Sequence, residues 1–261
     1  MKYGFIGCGN MGGAIAKAVS QSTKDILLSD LPAKAQALAQ ELGCKHGDNG
    51  AVITLCDRVF LGVKPQMMQA MLEELRPMLA QKKPLLITMA AGLEIKKIQE
   101  FAGTPLPIIR IMPNTSVSVG KGMILYCCNQ LVDEATLQDF VQDMQYAGRL
   151  DAIEEKLIDA ASALSGCGPA YMYMFIEALA DGAVACGVPR AKAIEYAAAT
   201  MAGAAEMVLA TGQHPGALKD AVCSPAGSTI AGVKALEQHG FRGAAMDCIA
   251  AAYKRTLELG K

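Results

Sequence analysis

Along the first 153 residues, short apolar runs alternate with longer stretches whose apolar positions recur at helical spacing. That rhythm predicts strands and helices taking turns around a parallel sheet. Residues 2–7, 25–29, 58–63, 84–90 and 107–112 read as buried strands, and 12–20, 32–42, 66–80 and 94–101 as the helices between them. Pro32 suits the first turn of its helix, where no backbone N–H is needed, and Gly43 follows as a C-terminal cap. Residues 123–128, 134–146 and 149–153 predict strand, helix and strand at a sheet edge.

Beyond residue 153 no strand pattern remains, and alanine, the best helix former, becomes abundant. Helices are predicted over 154–164, 170–186, 190–211, 215–222, 229–239 and 243–259, with Gly187, Gly212 and Gly240 as stops. The fold class is therefore α/β: a doubly wound parallel sheet over 1–152, followed by an all-helical domain over 153–261.

Composition sharpens the picture of the helical half. Only 19% of the 261 residues are charged, where roughly 25% is usual. The helices at 170–186 and 190–211 are apolar on nearly every face, so each must be buried all round. A bundle of about 100 residues is too small to hide both. Ala178 with Gly182, and Ala198 with Ala202, place small residues at four-residue spacing and permit close backbone approach. An intertwined homodimer, or a higher assembly of dimers, is expected; the alternative is a compact monomer with an apolar surface.

Lys plus Arg number 24 and Asp plus Glu 25, a net charge of −1, so the field of a nucleic-acid or anionic-membrane binder is missing. The longest apolar stretches end at Glu177 and Glu206, short of the roughly 18 residues that cross a bilayer. No secretory leader pattern precedes Gly7, and the expected compartment is the cytoplasm. Nine cysteines at irregular spacing and three histidines, His46, His214 and His239, fit neither a disulfide framework nor a metal site.

Candidate chemistry begins at Gly7-Cys8-Gly9-Asn10-Met11-Gly12, directly after the first strand and at the opening of a helix. The first glycine permits the tight turn, the second lets a pyrophosphate approach the backbone, and the third lets helix pack on strand. This is a Rossmann-type dinucleotide fingerprint, with amides at the helix start as phosphate donors. Ser29 and Asp30 end the second strand, near the spacing of a ribose-binding acid. Asp30 leans the choice toward NADH over NADPH, although Ser29 and Lys34 could hold a 2′-phosphate. Val63-Lys64-Pro65, Ala90-Ala91-Gly92 and Pro113-Asn114 end later strands and should edge the same crevice. Lys64 reads equally well as a solvated turn residue. In the helical half, Ser224, Ser228, Thr229 and the amides of the following helix form a nest for a carboxylate, or else an N-cap with a turn.

Taken together, the glycine loop, Val63-Lys64-Pro65, Ala90-Ala91-Gly92, residues 112–115, the loop 165–171 and the run 214–225 resemble the pyrroline-5-carboxylate reductase family, in order along essentially the whole chain. The resemblance implies an N-terminal Rossmann domain and a helical substrate-binding domain that dimerises by interleaving. It also implies reduction of L-1-pyrroline-5-carboxylate to L-proline by NADPH or NADH, the final step of proline biosynthesis. Carried over, Ser224, Gly227, Ser228 and Thr229 would surround the substrate, with Ser224 and Thr229 as catalytic residues, and Asn49 would contact the cofactor. Ala226 departs from the family's usual glycine, Ser228 from a common threonine, and Cys167 from a frequent serine. A site strained by Ala226 opens a second reading, a nucleotide-binding regulator without turnover. A related cyclic-imine or beta-hydroxyacid oxidoreductase is a third, but the beta-hydroxyacid type needs a general base in the helix 170–186, which carries no Lys or His.

Overall fold

A computed structural model describes residues 1–259. Its first six strands are β1 (Tyr3–Ile6), β2 (Ile26–Ser29), β3 (Lys45–His46), β4 (Arg58–Leu61), β5 (Leu85–Thr88) and β6 (Ile108–Met112), all parallel. The helices between them are α1 (Asn10–Val19), α2 (Pro32–Leu42), α3 (Asn49–Leu55), α4 (Pro65–Lys82) and α5 (Ile95–Ala102). Next come β7 (Gly122–Cys128), α6 (Glu134–Asp143) and β8 (Gly148–Ala152). The sheet order is β3-β2-β1-β4-β5-β6-β7-β8, with β7 antiparallel to β6 and β8 parallel to β7. The expected parallel sheet thus reverses direction at its last two strands.

Sequence reading misses β3 and α3. A two-residue edge strand with both side chains exposed has no apolar run to announce it. Other expectations hold at the level of single residues. Pro32 opens α2, and Gly43 caps it in the left-handed conformation at φ 67°. The helix expected to reach residue 146 stops at Asp143 and is followed by a 3-10 turn, Gln145–Ala147.

Alternate residues of each strand point to opposite faces, and both faces are covered. Tyr3, Phe5, Phe60, Ile87 and Ile109 join Ile15 of α1 and Phe140 of α6. Ile6, Val59, Leu61, Leu86 and Ile108 join Leu72 of α4 and Ile98 of α5. The Phe5 and Phe60 rings stack at 4.5 Å between centroids. Because β1 lies between β2 and β4, the chain winds outward in both directions from β1, and a crevice opens beyond the carboxyl ends of β1 and β4.

The remaining elements are helices: α7 (Glu155–Ser165), α8 (Gly168–Ala185), α9 (Arg190–Thr211), α10 (Pro215–Ala221), α11 (Ser228–Gln238) and α12 (Phe241–Leu259). Two compact units result, residues 1–167 with the end of α12 from 252, and residues 168–251. The strand pattern ends at β8, yet α7 belongs to the sheet unit, where Ile158 packs on Met112 and Leu125. In the second unit the buried centre is small: Ala180, Ala193 and Ala197, with Ile176, Val184 and Val188 against them. Tyr173, Met174, Leu209, Val222 and Met246 stand at least 60% exposed on the single chain. No helix of the described residues is long and apolar enough to cross a membrane.

Candidate functional site

The turn from β1 into α1 is built by backbone contact. Gly7 has φ 92°, and a Cβ on it would lie 2.6 Å from the carbonyl carbon of Gly62. A Cβ on Gly12 or on Gly62 would overlap the Gly7 carbonyl oxygen. Three glycines therefore let the start of α1 sit directly on the ends of β1 and β4. Gly62 is the member that motif reading missed; its only signal is a glycine at the end of a buried strand, just before Val63-Lys64-Pro65.

Gly9 is different. A Cβ there would meet only the Lys34 ammonium, at 4.0 Å, so packing within the chain does not demand glycine. Bare backbone at Gly9, followed by the first turn of α1 with Asn10, Met11 and Gly12, suits close approach of a pyrophosphate. The first N–H groups of a helix lack intrahelical partners and favour an anion.

Asp30 braces this loop. Its Oδ2 accepts the Cys8 N–H at 2.6 Å and the Lys34 ammonium at 3.2 Å, while Oδ1 accepts the Leu31 N–H at 2.7 Å. Partial burial works to raise the carboxyl pKa, but the Leu31 and Cys8 amides and Lys34 outweigh it and hold it below the usual value. Beside it, burial and then the Asp30 charge push the Cys8 thiol up to about 12, so it stays protonated. Ser29 donates its hydroxyl to Asn49 Oδ1 at 2.6 Å. Ser29 at the end of β2, Asp30 in the turn after it and Asn49 at the start of α3 line one cavity of about 640 Å³ with His46 and Gly50.

The later strand ends behave less uniformly. Val63, Lys64 and Pro65 form the turn into α4, with Lys64 exposed. Ala90 is buried and Gly92 turns at φ 73°. Pro65, Gly92 and Asp159 line a second cavity of about 920 Å³. Pro113 and Asn114 are buried, and the Asn114 amide is committed to the protein: Nδ2 donates to the Ser165 carbonyl at 2.9 Å, and Oδ1 accepts from Ser116 and Met123. Contact of the Asn114 side chain with a cofactor would have to compete with those three bonds.

Sequence reasoning also missed Arg110. It is wholly buried on β6, with Nη1 at 3.3 Å from Glu155 and Nη2 at 2.6 Å from Asp159, both on α7. Glu155 additionally accepts the Ile95 N–H at 2.7 Å, at the start of α5. A charged residue inside a buried strand, with two acids one helical turn apart further along the chain, was the available signal.

In the second unit the loop before α11 keeps its turn despite the alanine. Ala226 has φ 55°, in the left-handed region. Gly227 donates to the Ser224 carbonyl at 3.0 Å and serves as N-cap residue with no side-chain cap. A Cβ on Gly227 would overlap the Ser224 hydroxyl. Ser224, Ser228 and Thr229 are thus exposed around an uncapped helix start, and none of them takes the capping role that was the alternative reading. Among the described residues no cluster of three or more His, Cys, Asp or Glu could hold a metal.

Comparison with known proteins places this arrangement. Residues 155–259 match the family model for pyrroline-5-carboxylate reductase dimerisation, and residues 2–92 match that for NADP oxidoreductase, coenzyme F420-dependent. The chain is 39% identical to pyrroline-5-carboxylate reductase of Escherichia coli (strain K12), covering 100% of this chain and 98% of that one. It is 40% identical to the Pisum sativum enzyme, over 98% of this chain and 95% of that one. The crystal structure of Plasmodium falciparum pyrroline carboxylate reductase with NADP bound superposes with a TM-score of 0.89 at 33% identity, covering 100% of this chain and 98% of that one. The Streptococcus pyogenes enzyme gives 0.90 at 33% identity, over 99% and 98%. A nicotinamide-binding sheet domain followed by a helical dimerisation domain, matched over the full length at such identity, makes this chain a member of the pyrroline-5-carboxylate reductase family.

Proposed function

We propose that the chain reduces L-1-pyrroline-5-carboxylate to L-proline with NADH or NADPH, as the final step of proline biosynthesis. The observation that carries this reading, beyond family membership, is the uncapped start of α11 beside the Ser224 hydroxyl, held by Ala226 in a left-handed turn. Such a start offers the Ser228 and Thr229 amides to a carboxylate. Ser224 adds a hydroxyl donor to the same carboxylate, and Gly227, where a Cβ would overlap that hydroxyl, leaves Ser224 its place beside the helix start. Thr229 Oγ1 hydrogen-bonds the ring nitrogen.

The protonated imine is already electrophilic, so the residues have mainly to hold it, and such positioning supplies roughly 7 to 11 kcal/mol. The nicotinamide, when bound, supplies the hydride that the imine carbon accepts. Gly7, Gly9, Asn10, Met11 and Gly12 hold the pyrophosphate; Ser29, Asp30 and Asn49 hold the adenosine end; Val63, Lys64, Pro65, Ala90, Gly92, Pro113 and Asn114 border the nicotinamide. The residues fit this cofactor because Gly9 leaves room for it while Gly7 and Gly12 are filled by backbone. Asp30 favours a free 2′-hydroxyl and hence NADH. Of the helical half expected over residues 153–261, the unit 168–251 serves substrate binding and dimerisation, joined as a homodimer through α8 and α9, while α7 packs with the sheet. The proposed setting is the cytoplasm, where nine unpaired thiols persist.

Replacing Thr229 tests the assignment. Thr229→Ala should lower kcat by about 10- to 100-fold with NADH binding intact, the loss expected for one hydrogen bond to a charged group. Full turnover and unchanged substrate KM in Thr229→Ala would remove Thr229 from the mechanism.

A further inference from the structure

The carboxylate at the end of β2 is nearly saturated by the protein itself. An ionised carboxylate offers about four lone-pair sites. Three are filled: the Leu31 amide on Oδ1, and the Cys8 amide and the Lys34 ammonium on Oδ2. The one remaining site, on Oδ1, can accept a single hydroxyl donor such as a free ribose 2′-OH. A 2′-phosphate brings no donor when fully ionised and up to two negative charges beside an acid that stays ionised. Ser29 gives no relief, because its hydroxyl proton is committed to Asn49.

Lys34 is the group that can change this balance. Its ammonium carries three donors on a flexible four-carbon stem, and its side chain is half exposed. It reaches Asp30 on one side and lies 4.0 Å from where a Gly9 side chain would begin on the other. Among the described residues, Lys34 is the one cation that pairs with Asp30.

We propose that Lys34 is a specificity-determining residue for the cofactor: it pairs with Asp30 when NADH is bound and turns to the 2′-phosphate when NADPH is bound, so that one site takes both. This rests on the nicotinamide-binding reading of the β1–α1 turn and not on the identity of the imine substrate. Lys34 then acts as a movable counter-ion, and Asp30 as the fixed brace of the glycine loop.

Titration of NADPH and NADH against the wild-type protein, Lys34→Gln and Lys34→Arg, followed by nicotinamide fluorescence without any imine present, tests the proposal. Lys34→Gln should weaken NADPH binding by about 10- to 100-fold, the range for a charge-assisted contact, while NADH binding stays within about threefold. Lys34→Arg should retain most of the NADPH affinity. Raising salt should weaken NADPH more steeply than NADH in the wild type, and this difference should shrink in Lys34→Gln. Equal losses for both cofactors would put Lys34 on the shared pyrophosphate and overturn the proposal, as would no loss for either. A protein that binds both cofactors as described yet reduces no pyrroline-5-carboxylate would sink the substrate assignment and leave Lys34's role standing.

Discussion

Ala226 concentrates the question of whether this site works. At φ 55° it holds a conformation that costs an L-residue roughly 1–2 kcal/mol and glycine nothing. The turn is nonetheless kept, so the strain is borne by stability and not by the geometry of Ser224 and Gly227. Ala226→Gly should therefore raise stability to urea by about 0.5–1 kcal/mol, less than the full strain because glycine loses more chain entropy on folding, and should not lower kcat/KM. A lower midpoint in Ala226→Gly would contradict this. The departure from glycine was legible in the sequence; the backbone's response was not, because φ depends on what the flanking residues enforce. Asp30 makes a second prediction. Its folded pKa lies below its ordinary value of 3.8, so its contribution to stability is fully present above that value and is lost as pH falls through the depressed one. Urea unfolding of Asp30→Asn should fall short of the wild type by a constant amount from pH 7 to about 5, and the gap should close only below pH 3.8. A gap that closed near neutrality would point to another group.

Elements are tied together by a few buried polar links. Arg110 joins the middle of β6 to α7, and Glu155 passes the link on to the start of α5, which follows the Ala90–Gly92 turn after two residues. Asn114 holds the other end of α7 through the Ser165 carbonyl. Removing the guanidinium takes the partner from two carboxylates that are 32% and 22% exposed and can still be hydrated, and losses of about 1.5–3 kcal/mol are typical for hydrogen bonds to charged groups of this kind. Arg110→Met should lower stability by an amount in that range, measured by urea unfolding, whereas Arg149→Met on β8, whose side chain is not in such a cluster, should change it little. Most elements could be read from pattern: the large strands are apolar runs buried on both faces, and Pro32 and Gly43 mark α2 by backbone chemistry alone. What escaped were β3, two exposed polar residues, and α3, whose seven residues are too few to show a period, although Asp48 caps α3 through the Ala51 amide. Gly62 and Arg110 escaped for a related reason. Their roles exist only between elements far apart in the chain, Gly62 of the β4 end against β1 and Arg110 of β6 against α7, and such pairings are set by topology, not by neighbours in sequence.

At the scale of the molecule, the shortage of charge noted in the sequence settles on the helical unit, whose buried centre is three alanines while its larger apolar side chains face outward on the single chain. A homodimer that buries them predicts a specific failure. Met174→Glu, at a position 70% exposed on one chain, should split the dimer by light scattering, because a carboxylate in an apolar interface is desolvated without a partner. An unchanged mass would remove that face of α8 from the interface. The proposed nucleotide site belongs to the sheet unit and the proposed imine site to the helical unit. The central claim is that this chain carries hydride from a reduced nicotinamide to a cyclic imine. Purified protein mixed with NADH and L-1-pyrroline-5-carboxylate should lose the near-ultraviolet absorbance of the reduced cofactor, with one L-proline formed for each NADH consumed. Tight NADH binding with no imine-dependent oxidation, and none with NADPH, would contradict the account and leave a nucleotide-binding protein without turnover.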